Sequence, residues 1–188
     1  MIAIMQQDLK TLLDGMPGNE CRFAEGATVF TQGDRVRLVH FVRDGAIHLV
    51  RRQEDGAMLI LQHAQAGSIL AEASVYSDRY HCDARAEVET VTWALARRDL
   101  RERLEETSDG FRIWTRYLGH EVQRARLHAE ILSLKTVKAR LDAWMVWNGD
   151  LPEKGRWRSV ADEIGVSPEA LYRELAKTSR GGPKKSAK

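Results

Sequence analysis

The chain has 188 residues, 43% of them hydrophobic, with 29 Lys/Arg against 27 Asp/Glu and a formal net charge of +2. This length and apolar content suffice for one large domain or two smaller cores, and the near-neutral balance excludes a polycation. From Leu151 onward nine Lys/Arg face five Asp/Glu, which leaves twenty against twenty-two in residues 1–150, so the basic excess is confined to the C-terminal part. The first ten residues, MIAIMQQDLK, lack a basic segment and a signal-length apolar run, and no stretch approaches membrane-spanning length. A cytoplasmic protein without a membrane partner is therefore expected. Cys21 and Cys82 form neither a disulfide framework nor a C-x-x-C pair, which fits a reducing compartment.

Leu9, Leu12 and Leu13 share one face of a short helix predicted from about Asp8 to Met16, ending at Gly15 and Pro17. From Cys21 to Ala96 the pattern changes to short apolar runs: residues 28–30, 39–42, 47–50, 58–61 and 91–95. Gly26, Gly33-Asp34, Asp44-Gly45, Asp55-Gly56 and Gly67 punctuate them at intervals of roughly ten residues, the spacing of strands in an all-β barrel or sandwich. The two Asp-Gly pairs predict hairpins.

Helical periodicity takes over after Arg97. Leu100 and Leu104 predict one short helix, with a break at Ser108-Asp109-Gly110. Phe111, Trp114, Leu118, Val122, Ala125, Ala129 and Leu132 then recur at spacings of 3, 4, 4, 3, 4 and 3, the narrow seam of a helix that packs against a copy of itself. A further helix through Leu134, Val137, Leu141, Trp144 and Met145 is predicted to end near Asn148-Gly149.

The stretch WRSVADEIGVSPEALYRELAK, Trp157 to Lys177, reads as two short helices joined by a tight turn. Ser159 and Asp162 suggest a capping box, Gly165 a stop, Ser167 the next N-cap and Pro168 the first position of the second helix. Ala170, Leu171 and Leu175 fall on its inner face. Glu169, Tyr172, Arg173 and Lys177 are left outside, with Arg158 on the first helix, a set suited to base edges and phosphates in a major groove. The closing segment TSRGGPKKSAK has four basic residues and no acid, predicting a disordered tail that could track phosphates.

In this order and spacing, the segments FAEGATVFTQGD (Phe23 to Asp34), FVRDGAIHLV (Phe41 to Val50), AGSILAE (Ala66 to Glu72) and EIGVSPEALYREL (Glu163 to Leu175) resemble the Crp/Fnr family of bacterial transcription regulators. The resemblance covers about residues 20–178. It implies an α+β chain: an N-terminal double-stranded β-helix or jelly-roll barrel of the cyclic-nucleotide-binding type (1–107), a dimerisation helix (108–134), a winged-helix-like helix-turn-helix domain (135–178) and the basic tail (179–188). The implied function is a non-enzymatic homodimer on a palindromic site in double-stranded DNA, with RNA polymerase as a candidate second partner. Of the family's Glu-x-x-Ser-Arg readers, Glu169 and Arg173 are retained and Tyr172 replaces serine, while Ser167 would hold a phosphate. The family's β-wing is expected to be shortened, because only the basic tail follows Lys177.

Relatives that respond to cyclic AMP hold the ribose with Gly-Glu and the cyclic phosphate with Arg-Ser. Here Glu72 matches the carboxylate but Ala71 precedes it, and an ungapped count places Cys82 and Asp83 at the Arg-Ser positions. A phosphate beside Asp83 would be repelled, so no cyclic AMP response and no cofactor are expected. Arg79 and Arg85 leave room for another anion. His81 and Cys82 raise a haem or redox-sensing alternative, which is disfavoured because adjacent strand residues face opposite ways. An iron–sulfur sensor would need four cysteines. His40, His48 and His63 raise a cupin-like metal enzyme, although the H-x-H such sites commonly use is missing.

Overall fold

The computed structural model describes residues 2–54 and 58–180, with side chains from residue 7 to 177. The Asp55-Gly56 pair and the basic residues Lys184 and Lys185 lie outside the described residues. The chain forms two compact units, one up to Ala125 and one from Arg126.

The first unit holds helix α1 (Ile2–Leu13) and strands β1 (Gly18–Phe23), β2 (Thr28–Phe30), β3 (Leu38–Asp44), β4 (Ala46–Arg52), β5 (Met58–Gln65), β6 (Ile69–Leu70), β7 (Asp83–Ala86) and β8 (Thr90–Ala96). They make two four-stranded sheets, in the orders β1-β8-β3-β6 and β2-β7-β4-β5. Every pairing is antiparallel, giving the expected jelly-roll barrel. Phe30, Val42, Ile47, Leu49, Leu70, Cys82 and Ala84 fill its interior. Gly45 turns β3 into β4 at φ +81°, and a Cβ there would lie 2.5 Å from the Glu89 carbonyl oxygen, so the predicted Asp44-Gly45 hairpin requires glycine.

Helix α2 (Arg97–Glu106) and helix α3 (Ser108–Ser133) follow. Leu100, Leu104, Trp114 and Tyr117 join Leu9, Leu12 and Leu13 of α1 in a second core against Val39, Ile69 and Leu95. Adjacent Ile69 and Leu70 belong to different cores, as strand alternation demands.

Two boundaries differ from the sequence expectation, and three strands are added to it. Helix α1 starts at Ile2 rather than near Asp8. The break before the long helix is at Thr107, extended at φ −131°, whose hydroxyl accepts from the Gly110 N–H at 2.9 Å; Ser108-Asp109-Gly110 form the first turn instead of the interruption. Strands β1, β6 and β7 were not separable from their surroundings by periodicity, because they are short or carry polar residues at most positions.

In the second unit, α4 (Val137–Asn148), α5 (Trp157–Glu163) and α6 (Pro168–Arg180) enclose Ile131, Leu141, Trp144, Val160, Ala161, Ile164 and Leu171. Thr136 caps α4 by accepting from the Ala139 N–H, and the helix ends before Gly149 as predicted. Among the described residues no strand follows α6, and no helix is long and apolar enough to cross a membrane.

Candidate nucleic-acid interface and effector pocket

Helices α5 and α6 form the predicted two-helix motif, with one local correction. Trp157 begins α5, so Ser159 lies inside the first turn, its hydroxyl 3.5 Å from Glu163 Oε1, and the Ser159–Asp162 capping box is not formed. Gly165, at φ +64°, makes the turn; a Cβ there would meet Leu132 Cδ2 at 2.7 Å. Ser167 Oγ accepts the Ala170 N–H at 3.2 Å, and Pro168 occupies the first position of α6. Leu171 is fully buried while Leu175 packs on the same core, which fixes the helix rotation.

That rotation exposes Glu169, Arg173 and Lys177, spaced one turn apart along one face of α6, together with Ser167; Arg158 is exposed on α5. Arg173 Nε donates to the Glu169 carbonyl at 3.3 Å, which leaves the two terminal nitrogens as the pair a guanine edge needs. Lys177 Nζ lies 3.2 Å from Glu174 Oε2, an exposed contact that a phosphate could replace at little cost. Tyr172 is 39% exposed, and its ring centroid sits 5.7 Å from that of Trp157. The large side chain at the family's serine position therefore braces α6 against α5.

Two residues that the sequence reading passed over hold the motif together. Arg140 donates from Nε to Leu134 O (2.7 Å), from Nη1 to Ile164 O (3.0 Å) and Gly165 O (2.9 Å), and from Nη2 to Leu132 O (2.8 Å). Glu163 Oε2 accepts from Trp144 Nε1 at 2.9 Å, while its carbonyl oxygen is 2.8 Å from His128 Nε2.

The long helix presents two apolar faces. Phe111 (62% exposed), Val122 (48%), Ala125 and Ala129 are exposed and Leu118 is half-buried. Trp114, placed on the same seam by its spacing, is instead only 2% exposed within its own core beside Tyr117, so it is not available to a partner helix. Leu132 is half-buried near Gly165.

In the barrel, Glu72 opens a short 3-10 turn (Glu72–Tyr76) behind Ala71, which takes the left-handed conformation (φ 53°, ψ 46°) suited to the glycine of the resemblance. Gln62 Nε2 donates to Glu72 Oε2 at 2.6 Å and lies 3.5 Å from Glu121 Oε2 of α3; Gln62 Oε1 accepts from the Ala71 N–H. Burial, reinforced by the Glu121 charge, pushes the Glu72 carboxyl up to about 7, against the lesser opposing pulls of its hydrogen bonds and Arg124. A carboxyl whose folded-state value is raised above 4.5 contributes stability below pH 4.5, and that contribution is lost as pH rises to about 7. Glu72→Gln is accordingly expected to flatten the decline in unfolding free energy between pH 4.5 and 7, measured by urea titration; an unchanged profile would contradict the burial of this charge.

Cys82 is fully buried, and burial raises its thiol to about 11, while His81 is exposed; both precede β7 (Asp83–Ala86) rather than lying in a strand. Asp83 Oδ1 accepts the Gln32 N–H at 2.7 Å. Arg79 Nη1 donates to Gly33 O, Arg85 is half-buried between β2 and β4, and Arg51, unnoticed in the sequence, donates to His81 O at 2.9 Å. Native protein treated with iodoacetamide is expected to label half-buried Cys21 and spare Cys82, as read by peptide mass spectrometry; prompt labelling of Cys82 would revive redox sensing.

His40 stands apart from the other two barrel histidines. It lies on β3, its Nδ1 3.0 Å from Thr92 Oγ1, with burial lowering it to about 4. The three-histidine centre of a cupin-like enzyme is thus not assembled.

Residues 20–107 match the cyclic nucleotide-binding domain family. The chain has the fold of the Crp/Fnr transcription regulators: an antiparallel barrel of that type followed by a helical C-terminal region. Among solved structures it is similar to FixK2 from Bradyrhizobium japonicum (TM-score 0.75, 18% identity, 92% of this chain and 90% of the other). It is also similar to a CRP-family transcriptional regulator from Thermus thermophilus (TM-score 0.67, 20% identity, 89% and 88%). In sequence it is 23% identical over 171 residues to the transcriptional regulator LdrP of Thermus thermophilus, covering 86% of this chain and 85% of that one. The last two are transcriptional regulators, and the cupin-like alternative finds no support among them.

Proposed function

We propose that the chain is a homodimeric DNA-binding transcription regulator that reads a palindromic site with Glu169 and Arg173 and responds to something other than cyclic AMP. The observation that carries the reading is the exposed Glu169–Arg173–Lys177 face on a helix whose opposite face is fixed by buried Leu171. Glu169 suits a cytosine amine, Arg173 a guanine edge, and Ser167, Arg158 and Lys177 phosphates. Two such helices related by a two-fold axis would enter successive major grooves. The exposed Phe111, Val122, Ala125 and Ala129 face supplies an isologous dimer surface, with Leu118 at its edge. RNA polymerase remains a candidate partner, and the location proposed is the cytoplasm.

The Gln62 amide beside both Glu72 and Glu121 offers a route by which barrel occupancy reaches the dimer helix, since Glu121 belongs to α3. The positions where the resemblance would put the phosphate-binding Arg-Ser pair carry Cys82, which fills the barrel interior, and Asp83, which accepts from the Gln32 N–H, so neither supplies a cation for a cyclic phosphate; this supports an effector of different charge or none. Calorimetric titration with cyclic AMP, alongside gel-shift assays on an inverted-repeat library with and without it, tests this reading. Sequence-selective binding with no cyclic AMP heat is expected; saturable cyclic AMP binding that changes DNA affinity would overturn the effector assignment, and DNA binding insensitive to salt would overturn the whole.

A further inference from the structure

The remaining barrel histidines lie together. His48 of β4 and His63 of β5 are direct cross-strand partners, with ring centroids 4.7 Å apart. Glu87, immediately after β7, is held beside them by its N–H bond to the Ala46 carbonyl. Glu87 Oε2 lies 2.8 Å from His63 Nε2 and 3.3 Å from His48 Nε2. The three side chains are 7–15% exposed, and one donor atom of each lies within 4.8 Å of the others.

We propose that His48, His63 and Glu87 bind a first-row divalent cation of the zinc type, one per chain. Two imidazole nitrogens and one carboxylate oxygen are a donor set for borderline cations, whereas calcium and magnesium require oxygen cages. Tetrahedral bonds of ~2.0–2.1 Å place neighbouring donors ~3.3–3.4 Å apart. The His48–Glu87 separation already meets that requirement, and the His63–Glu87 separation needs to open by roughly half an ångström. With both imidazoles neutral, as ligation requires, the single carboxylate gives the site one negative charge that favours a cation, and a fourth position is open to water.

The surrounding groups suit this role. Gln65 Nε2 lies 3.3 Å from His63 Nδ1; with its amide turned so that oxygen faces the ring, Gln65 would accept the Nδ1 proton and keep Nε2 free for the cation. Ile47, Leu49 and Ala64, the strand neighbours of the two histidines, are buried in the barrel core, so a bound ion would tie β4, β5 and the end of β7 together beside that core. The site uses none of the residues assigned to DNA or to the Gln62–Glu72–Glu121 cluster.

The test uses the full chain, stripped with a chelator and titrated with cobalt(II) chloride and then zinc chloride. At one equivalent, cobalt is expected to give visible d–d absorption without sulfur charge transfer, zinc to abolish it, and zinc to raise the melting temperature of the wild type. His63→Ala and the near-isosteric Glu87→Gln should weaken zinc binding by more than about 100-fold, above the ~10- to 100-fold that losing an outer-shell partner costs, while His81→Ala leaves it unchanged. Circular dichroism verifies folding; if His63→Ala unfolds, Glu87→Gln decides alone. No cobalt spectrum at one equivalent, a thiolate charge-transfer band, or unchanged zinc affinity in the folded Glu87→Gln variant would overturn the proposal.

Discussion

Arg140→Ala is expected to destabilise the second unit by about 3 kcal/mol, the largest single-residue effect outside the apolar cores. One guanidinium satisfies the carbonyls of Leu132, in the last turn of α3, and Leu134, just beyond it, and those of Ile164 and Gly165 in the turn between α5 and α6. Helix ends leave such carbonyls without intrahelical partners, and hydrogen bonds to a charged donor are stronger than neutral ones. Lysine offers a single nitrogen that cannot span the four acceptors, so Arg140→Lys should recover less than half of the loss. Urea unfolding followed by tryptophan fluorescence checks this, since Trp144 and Trp157 report on this unit. A shift below about 0.5 kcal/mol, the range of ordinary surface substitutions, would mean that the four bonds exchange with water at no net cost.

The second large effect concerns recognition. Arg173→Ala should lower the preference for the cognate site over random duplex by about 1–3 kcal/mol while leaving the salt dependence nearly unchanged. Stability should hold, because Arg173 is exposed and its bond within the helix is to the Glu169 carbonyl. Fluorescence anisotropy on specific and scrambled duplexes at several salt concentrations separates the outcomes. Equal loss on both duplexes would make Arg173 a phosphate contact.

Much of the architecture was legible because the apolar periods change cleanly. Alternating short runs gave five of the strands, and the heptad-like run gave α3 almost to its ends. The seam on that helix was read less well, since spacing alone cannot separate a face buried on the chain's own barrel from one offered to a partner. Trp114 and Phe111 are three residues apart on one predicted stripe, yet one is buried and the other is the most exposed phenylalanine-sized residue on the helix. Ser159 misled for a related reason: a capping residue is recognised by its backbone, and α5 begins two residues earlier, at Trp157.

The residues missed altogether act through backbone atoms or distant partners. Arg140 looks like any helix-surface arginine until the carbonyls around it are located. The His48–His63 pair was only partly legible: the predicted hairpin sets β4 against β5, but the pairs nearest the turn, such as Arg52 with Met58, would place His48 opposite Gln62, and the bulge at Leu49/Val50 shifts the register by one so that the two histidines meet. An H-x-H pattern lies within one strand, whereas this pair forms across two. Glu87 arrives from 24 residues beyond His63, and no local signal connects them.

Genome-wide footprinting of the wild-type chain against Arg173→Ala tests the regulator reading most directly. Discrete protected inverted repeats, with half-site centres one helical turn or about 10–10.5 base pairs apart, are expected in the wild type and should be lost in the variant. Protection that is absent, scattered without an inverted repeat, or identical in both proteins would contradict a regulator that reads DNA with this helix.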